Sequence, residues 1–359
     1  MAGRYRRATA GKPVKFRNMP VQFTFWPDAY VERGRLVTSD PWVCLLSHVR
    51  QRVEGAARQN RAVAFLEQAQ DFYEAASAPR MASKPLLYYY SFMNLAKAFL
   101  TVRTNLDLKS CIHGLKEPPT NVRARLTITS QEVKVDDAGG TRVKLYREFM
   151  KECGFPLPRK TKPVKVVDLL EQIVGIHRIT SYTLKRSRQY FPVESIAFEH
   201  DPSAKKVWVA LAIARGEVGN SAADVRRNSA AFEEVESPDR SCRRYESRAM
   251  TYTKTPLQVL RKLVTSTWQD IWSQLRPGGY RFWFSSIPRA KRRAQLASGY
   301  KAMFYFGSVS RYRPDDFHKL TDGKHGWMVQ EFINTQPLQF VYFLGSDFVG
   351  AEMVAPELV

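Results

Sequence analysis

Apolar side chains recur at helical spacing in the first half of the chain. Between Asn60 and Ala76 they have the i, i+3, i+4, i+7 pattern of an amphipathic helix. They are Ala62, Phe65, Leu66, Ala69, Phe72, Tyr73 and Ala76. Asp40 and Pro41 have the residue types of a helix N-terminus, so a further helix is expected to begin there. Pro79 is expected to end the helix near 60–76 and Pro85 to begin the next, which predicts two consecutive helices joined by a short loop.

The second of these helices, "PLLYYYSFMNLAKAFL" (85–100), is apolar on most of its circumference. A helix with this pattern is expected to be central and buried. Ser91, Asn94 and Lys97 fall at i, i+3 and i+6 and form a narrow polar seam along it. An unsatisfied buried polar group costs roughly 1–3 kcal/mol, and a lone charge costs more. The pattern therefore predicts hydrogen-bond acceptors opposite the seam.

Further elements are predicted before residue 190. "NVRARLTI" (121–128) alternates strictly and is predicted to pair with "EVKV" (132–135) as a small hairpin. "TRVKLYREFMKECGFP" (141–156) is predicted to be a helix that ends at Gly154. "KVVDLLEQIVGIHRI" (165–179) is predicted to be one more helix with His177 on its core-facing side.

After Tyr190 the hydrophobic period changes from 3.6 to 2. "VESIAFEH" (193–200) and "KKVWVALAIARG" (205–216) are predicted to form a β-hairpin, with later strands in "RRYESRAMTYT" (243–253) and "GYRFWFSS" (279–286). Helical patterns return in "LASGYKAMFYFGSVSRY" (296–312) and "GWMVQEFINTQ" (326–336), before an apolar tail.

This order of elements predicts an α+β fold that is mainly α. A helical core would be built from both ends of the chain, with a mixed α+β insert between them. The predicted divisions are a basic N-terminal segment (1–38), a first core part (39–190) that includes the hairpin (120–136), the insert (191–286) and a second core part (287–359).

The 359-residue chain carries a formal charge of +22, which would attract nucleic acid, an acidic protein or an anionic membrane face. The insert region contains a candidate basic patch, consisting of Arg240, Arg243, Arg244, Arg289, Lys291, Arg292 and Arg293. Solvated surface charge is the simpler interpretation, and nucleic-acid binding is the alternative. Exposed aromatics near the N-terminus and the apolar C-terminal tail would favour a homo-oligomer.

The sequence contains no recognisable motif for a cofactor, a metal or a membrane span. The four cysteines lack the spacing of a metal site and are expected to be reduced thiols of a cytoplasmic protein. No apolar run has the roughly 18 residues that a membrane span needs, and no signal segment is recognisable. Nucleotide-binding and hydrolase motifs do not occur in the sequence.

One pair of residue types has the spacing of a known catalytic motif. Arg313 and His318 match R-x4-H, and Arg311 and His318 match R-x6-H, the signature of metal-independent HEPN-type ribonucleases. In such an enzyme the histidine would be the general acid or base and the arginine would hold the scissile phosphate. The spacing is common by chance in so basic a chain, and Pro314 interrupts the helix that would present the pair. A helix end without catalytic role is the simpler interpretation.

Four stretches in this order resemble the YaaC-like family: "ASKPLLYYYSFMNLAKAFL" (82–100), "HGL" (113–115), "GSVSRYRP" (307–314) and "WMVQEFI" (327–333). The resemblance implies a bacterial cytoplasmic protein with a HEPN-like helical core and no established catalysis. It also implies a role as the sensing subunit of the two-gene anti-phage system known as jumbo phage killer. Such a sensor recognises an early phage product, expected to be a protein, and recruits an effector protein encoded nearby.

The resemblance also offers an explanation for the polar seam. Ser91, Asn94 and Lys97 would tie the central helix to the turn at His113 and to the helix end at Arg311, with Asn94 bonding the backbone of the turn. The alternative is a pocket in which Lys97, His113 and Arg311 hold a small anionic ligand.

Overall fold

The structure is a computed structural model that describes residues 10–27, 35–78, 80–117, 127–137, 139–218, 225, 227–229 and 231–357. Its helices are α1 (Pro41–Arg52), α2 (Ala56–Ala75), α3 (Lys84–Arg103), α4 (Leu145–Glu152), α5 (Val166–Glu171), α6 (His177–Leu184), α7 (Arg215–Val218), α8 (Leu260–Thr267), α9 (Gln295–Tyr312), α10 (Pro314–Asp322) and α11 (Gly326–Val349). Its strands are β1 (Lys12–Pro13), β2 (Lys15–Phe16), β3 (Met19–Pro20), β4 (Leu36–Val37), β5 (Leu115–Lys116), β6 (Glu132–Val135), β7 (Val164–Lys165), β8 (Tyr190–Pro192), β9 (Ser195–Asp201), β10 (Lys206–Ala214), β11 (Phe232–Val235), β12 (Cys242–Ser247), β13 (Met250–Thr251), β14 (Ile271–Arg276), β15 (Gly279–Ser285) and β16 (Met353–Val354).

The fold is α+β and mainly α, as the sequence predicts. The chain forms two compact units. The helical unit comprises residues 40–186 and 294–349, and the sheet unit comprises residues 1–39, 187–293 and 350–359.

The end of the chain corrects one predicted division. The sequence predicts that the second core part continues to residue 359, but α11 ends at Val349 and is succeeded by Gly350 with φ +69°. Glycine adopts this left-handed conformation without steric cost, so it ends the helix. Met353 and Val354 then pair in parallel with Leu36 and Val37 as part of the sheet unit.

Helix α3 is the centre of the helical unit, as its apolar circumference predicts. It packs against α2, α4, α9 and α11, and most of its residues are buried. Phe92 of α3 stacks on Phe340 of α11 with ring centroids 3.8 Å apart. At Gly307, α9 approaches α3 so closely that a Cβ would lie 3.1 Å from both the Pro85 carbonyl oxygen and the Tyr89 Cβ.

Two helix boundaries are explained by the residue types found at them. The side chain of Asp40 accepts hydrogen bonds from the backbone N–H groups of Trp42 and Val43, which confirms the predicted start of α1. The single helix predicted over 165–179 is wrong, because it is split into α5 and α6. Gly175, between them, has φ +110°, which a right-handed helix cannot contain.

The sheet unit contains the β-hairpin predicted from the period-2 pattern. Strands β9 and β10 pair antiparallel from Ser195–Ala212 to Asp201–Lys206. The larger sheet has the order β1-β9-β10-β12-β11, with β13 also paired to β10, and a second sheet has the order β14-β15-β8. All of these pairs are antiparallel.

The small hairpin predicted within 120–136 is corrected. Strand β6 is present, but it pairs antiparallel with β5 and β7. Residues 128–130 form a turn, and most of the predicted partner strand, residues 121–126, lies outside the described residues. The partners of β6 are distant in sequence, so local alternation could not identify them.

None of the helices among the described residues is both long enough and apolar enough to cross a membrane.

Candidate functional site

The polar seam of α3 begins with a bond to the neighbouring helix. Ser91 Oγ donates a 2.7 Å hydrogen bond to the backbone carbonyl of Ala69 in α2. Asn94 is buried, with 3% of its surface exposed. The first member of the seam therefore fastens α3 to α2.

The turn at His113 is held by a tyrosine, not by Asn94. Tyr89 Oη and His113 Nδ1 lie 2.7 Å apart. The phenol of Tyr89 is long enough to reach the imidazole, whereas Asn94 lies five residues further along the helix. The backbone carbonyl of His113 accepts from the N–H of Tyr146, and Gly114, with φ +77°, allows the turn to approach that segment.

Two cationic side chains flank this histidine. Lys97 Nζ lies 5.4 Å from the ring centroid of Phe65, a cation–π arrangement. Arg311 Nη1 donates a 2.6 Å hydrogen bond to Tyr90 Oη, and its guanidinium lies 5.0 Å from the ring of Tyr312. Within the described part of the chain, neither Lys97 nor Arg311 forms an ion pair with a carboxylate.

The electrostatics of His113 report this environment. Burial lowers the pKa of His113, and the positive charges of Lys97 and Arg311 lower it further. Both effects disfavour the imidazolium form, so the ring is neutral near pH 7. Burial also raises the pKa of the nearby Cys111 thiol, although the charge of Lys97 opposes this shift. We call Tyr89, Tyr90, Lys97, His113 and Arg311 the α3 cluster.

The arginine–histidine pair of the ribonuclease motif is directed to separate partners. Arg313 pairs with Glu117 and lies 4.0 Å from Asp316. His318 Nδ1 lies 2.9 Å from Asp322 Oδ2, on the same helix, and 75% of its side chain is exposed. Pro314 begins α10 directly after the end of α9 at Tyr312, so the two motif positions lie on different segments.

Three of the seven residues of the predicted basic patch, Arg243, Arg244 and Arg292, pair with carboxylates. Arg243 pairs with Glu234 at 2.8 Å, and Arg244 pairs with Glu199 at 2.6 Å and Glu246 at 3.2 Å.

The side chain of Arg292 is only 3% exposed and is paired with the fully buried Asp270. It also donates to four backbone carbonyls, those of Asn228, Gln269, Ser285 and Ile287. Arg293 Nη1 donates to the backbone carbonyl of Lys291 at 2.7 Å. Arg240, Arg289 and Lys291 are exposed. The seven residues therefore do not form a continuous patch of free positive charge.

Sequence reasoning missed Tyr89 and Tyr90 as functional candidates, because it treated the three consecutive tyrosines as core. Tyr89 is buried and Tyr90 is half-buried, but both hydroxyls bond members of the α3 cluster. The available signal was that a buried phenol usually needs a hydrogen-bond partner. Among the described residues, no group of three or more His, Cys, Asp or Glu side chains could hold a metal ion.

Comparison with known proteins assigns the chain to a family. A family model described as YaaC-like Protein matches residues 36–348. No curated protein and no solved structure matches the chain.

Proposed function

The chain belongs to the YaaC-like protein family, and from that premise we propose that it is an anti-phage defence sensor and adaptor. It would bind an early phage protein and recruit a separate effector protein encoded nearby, without catalytic turnover of its own. The role is that of the jumbo phage killer sensors that the family motifs resemble. We propose that the helical core is HEPN-like, with α3 at its centre.

The arrangement of the residues that a HEPN-type ribonuclease would use supports a non-catalytic role. A HEPN-type ribonuclease would need an arginine and a histidine that converge on one phosphate. Here Arg313 is held by Glu117, Arg311 by Tyr90, and His318 by Asp322. Each of the three motif side chains therefore has a partner of its own within the protein. This geometry favours binding over RNA cleavage as the function of the helical unit.

The ribonuclease alternative predicts a distinct result. Purified protein would cleave RNA in the presence of EDTA, and His318→Ala would abolish the cleavage. We expect intact RNA after prolonged incubation of the purified protein, both with and without the trigger present.

A protection assay in bacteria provides the complementary test. Because the proposal assigns no chemistry to Arg313 or His318, Arg313→Ala and His318→Ala proteins that fold normally should protect cells as well as wild type does. Expression level and thermal melting of each variant serve as the controls. Loss of protection in a well-folded His318→Ala protein would contradict the non-catalytic account.

A further inference from the structure

The α3 cluster contains two cations that the described part of the protein leaves without a counter-charge. Arg311 donates to Tyr90, and His113 contacts the preceding residue, Tyr89, on the same helix. The charges of Lys97 and Arg311 both lower the pKa of His113. Within the described residues their contacts are aromatic rings and one tyrosine hydroxyl, and none is a carboxylate. Other arginines of the helical unit, such as Arg147 and Arg186, are ion-paired.

One carboxylate lies near the cluster but is directed elsewhere. The exposed Asp107 acts electrostatically on Cys111, and its side chain accepts the backbone N–H of Lys109. Asp107 forms no ion pair with Lys97 or Arg311 in the described part of the chain, so it does not neutralise either cation.

The cations are also held in place. Arg311 is oriented by its bond to Tyr90, and the ring of Tyr90 is 5.2 Å from that of Phe72 in α2. Lys97 lies over Phe65 of the same helix α2. Tyr90 and Lys97 are seven residues apart on α3, so they share one face and are separated by about 10 Å along the axis. The two charges therefore mark the ends of a stretch along α3 that one small ligand with several anionic groups could span.

His113 adds a hydrogen-bond donor near the same stretch. When Tyr89 donates to Nδ1, the neutral imidazole carries its proton on Nε2, which can then donate to an anion. Arginine and lysine bind phosphate oxygens through strong charge-assisted hydrogen bonds. These groups have the donor chemistry of a polyphosphate site.

We propose that Lys97, His113 and Arg311 form a binding site for the di- or triphosphate group of a small ligand such as a nucleotide. The site is independent of the sensor role, because it requires neither a phage product nor an effector. A single phosphate would reach one end of the stretch only, so the proposal requires that affinity increase with the number of linked phosphates.

Calorimetric titration of the full-length protein tests this directly, with inorganic phosphate, pyrophosphate and ATP as separate probes. We expect pyrophosphate and ATP to bind, and inorganic phosphate to bind at least about tenfold more weakly. Tighter binding of ATP than of pyrophosphate would identify a nucleotide, and equal binding would identify the phosphate chain alone as the recognised group. Lys97→Met and Arg311→Leu should each weaken binding by about tenfold or more, because each removes a charge-assisted bond.

Two matched variants control for the loss of positive charge. Lys151→Met and Arg50→Leu remove exposed cations of the helical unit that pair with Glu148 and Glu67, and they should leave the affinity unchanged. A second readout is the His113 resonance in an NMR pH titration. A bound polyphosphate should raise the pKa of His113, because an adjacent negative charge favours the imidazolium.

Three results would overturn the proposal. The first is that neither pyrophosphate nor ATP binds or shifts the His113 titration. The second is equal weakening in the control variants, which would show non-specific attraction by net charge. The third is binding of a short RNA with affinity that rises with RNA length while ATP does not bind, which would identify a nucleic-acid surface. Because none of these measurements involves infection, their failure leaves the sensor role to its own test.

Discussion

Arg292 and Asp270 form a buried ion pair in the sheet unit. Their side chains are 3% and 0% exposed, and Asp270 also accepts the backbone N–H of Ala231 at 2.6 Å. Removal of one partner from such a pair leaves a buried, uncompensated charge, which typically costs about 3–5 kcal/mol. The pair thus holds together segments that are distant in sequence.

A substitution series tests this role. Arg292→Met should lower the free energy of unfolding by about 3–5 kcal/mol, as measured by urea denaturation, because Asp270 is left without its counter-charge. Arg292→Met combined with Asp270→Leu should be less destabilising than Arg292→Met alone. Arg240→Met, at an exposed site of the same unit, should stay within about 0.5 kcal/mol of wild type. Equal effects of Arg292→Met and Arg240→Met would show that the buried pair contributes little.

The titration of His113 tests the geometry of the α3 cluster without any ligand. Its pKa should lie below the ordinary value for histidine, and Lys97→Met or Arg311→Leu should raise it, because each removes a positive charge from its surroundings. NMR of the imidazole resonances measures the midpoint, and Lys151→Met serves as the unchanged control. An unaltered midpoint in both cluster variants would place the cations away from the ring.

The direction of this shift fixes its effect on stability. A histidine whose pKa is lowered on folding stabilises the folded state when it is neutral. Its contribution to the free energy of unfolding is present above the unfolded-state pKa and is lost as the pH falls through the folded-state pKa. His113→Gln should therefore flatten the acid side of the stability profile, which thermal melting at a series of pH values measures. An unchanged profile would exclude His113 as a source of the pH dependence.

Some residues of the candidate site could be predicted from the sequence, and the partners of other charged residues could not. Lys97, His113 and Arg311 are candidates from the sequence, and the electrostatics of His113 connect all three. The same reasoning could not separate Arg292 from the exposed Arg289, because the carboxylate that pairs with Arg292 lies 22 positions earlier in the chain. Pairing between distant segments is decided by the tertiary fold and leaves no local pattern.

At the scale of elements, the contact between α3 and α9 depends on a glycine. A Cβ at Gly307 would meet backbone and Cβ atoms of α3 at 3.1 Å, whereas a Cβ at Gly299, on the same helix, would meet nothing within 4 Å. Glycine within a helix costs roughly 0.5–1 kcal/mol relative to alanine. Substitutions at Gly299 and Gly307 therefore measure two different effects on stability. At Gly299 only helix propensity changes, whereas at Gly307 the packing of α9 against α3 changes as well.

Alanine substitution at the two glycines should have opposite effects. Gly299→Ala should stabilise the protein by about 0.5–1 kcal/mol, because it restores helix propensity into open space. Gly307→Ala should destabilise it by about 1 kcal/mol or more, because α9 must move away from α3. Chemical denaturation of the two variants measures both values. A similar gain in stability at both sites would mean that the helices do not pack as closely as described.

Hydrophobic periodicity predicts the element types well and the breaks less well. The helices near 60–76 and 85–100 and the β9–β10 hairpin are confirmed, because each has a clear period of 3.6 or 2. The split between α5 and α6 is not predicted, although Gly175 is visible in the sequence. Apolar residues continue at helical spacing on both sides of that glycine, so periodicity alone could not show that the backbone leaves the helix there.

At the scale of the whole molecule, two sequence arguments for self-association lose their basis. Phe23, Phe25 and Trp26 of the N-terminal segment are buried, and so are most residues of the apolar C-terminal stretch, which forms the second half of α11. These side chains fill the cores of the units to which they belong. The homo-oligomer stays a prediction, but these side chains no longer support it.

The net charge of +22 also has a different distribution from the one expected. Arg243, Arg244 and Arg292 are neutralised in the sheet unit, while Lys97 and Arg311 have no carboxylate partner among the described residues of the helical unit. The α3 cluster is therefore the place where we propose that an anion is recognised.

We propose that the protein works by binding partners, as its family resemblance implies. The most direct measurement is a pull-down of tagged protein from bacteria before phage infection and within minutes after it, with bound proteins and nucleic acids both identified. We expect a phage protein and the product of a neighbouring gene to appear only after infection. Recovery of RNA or DNA with no protein partner at either time would contradict it.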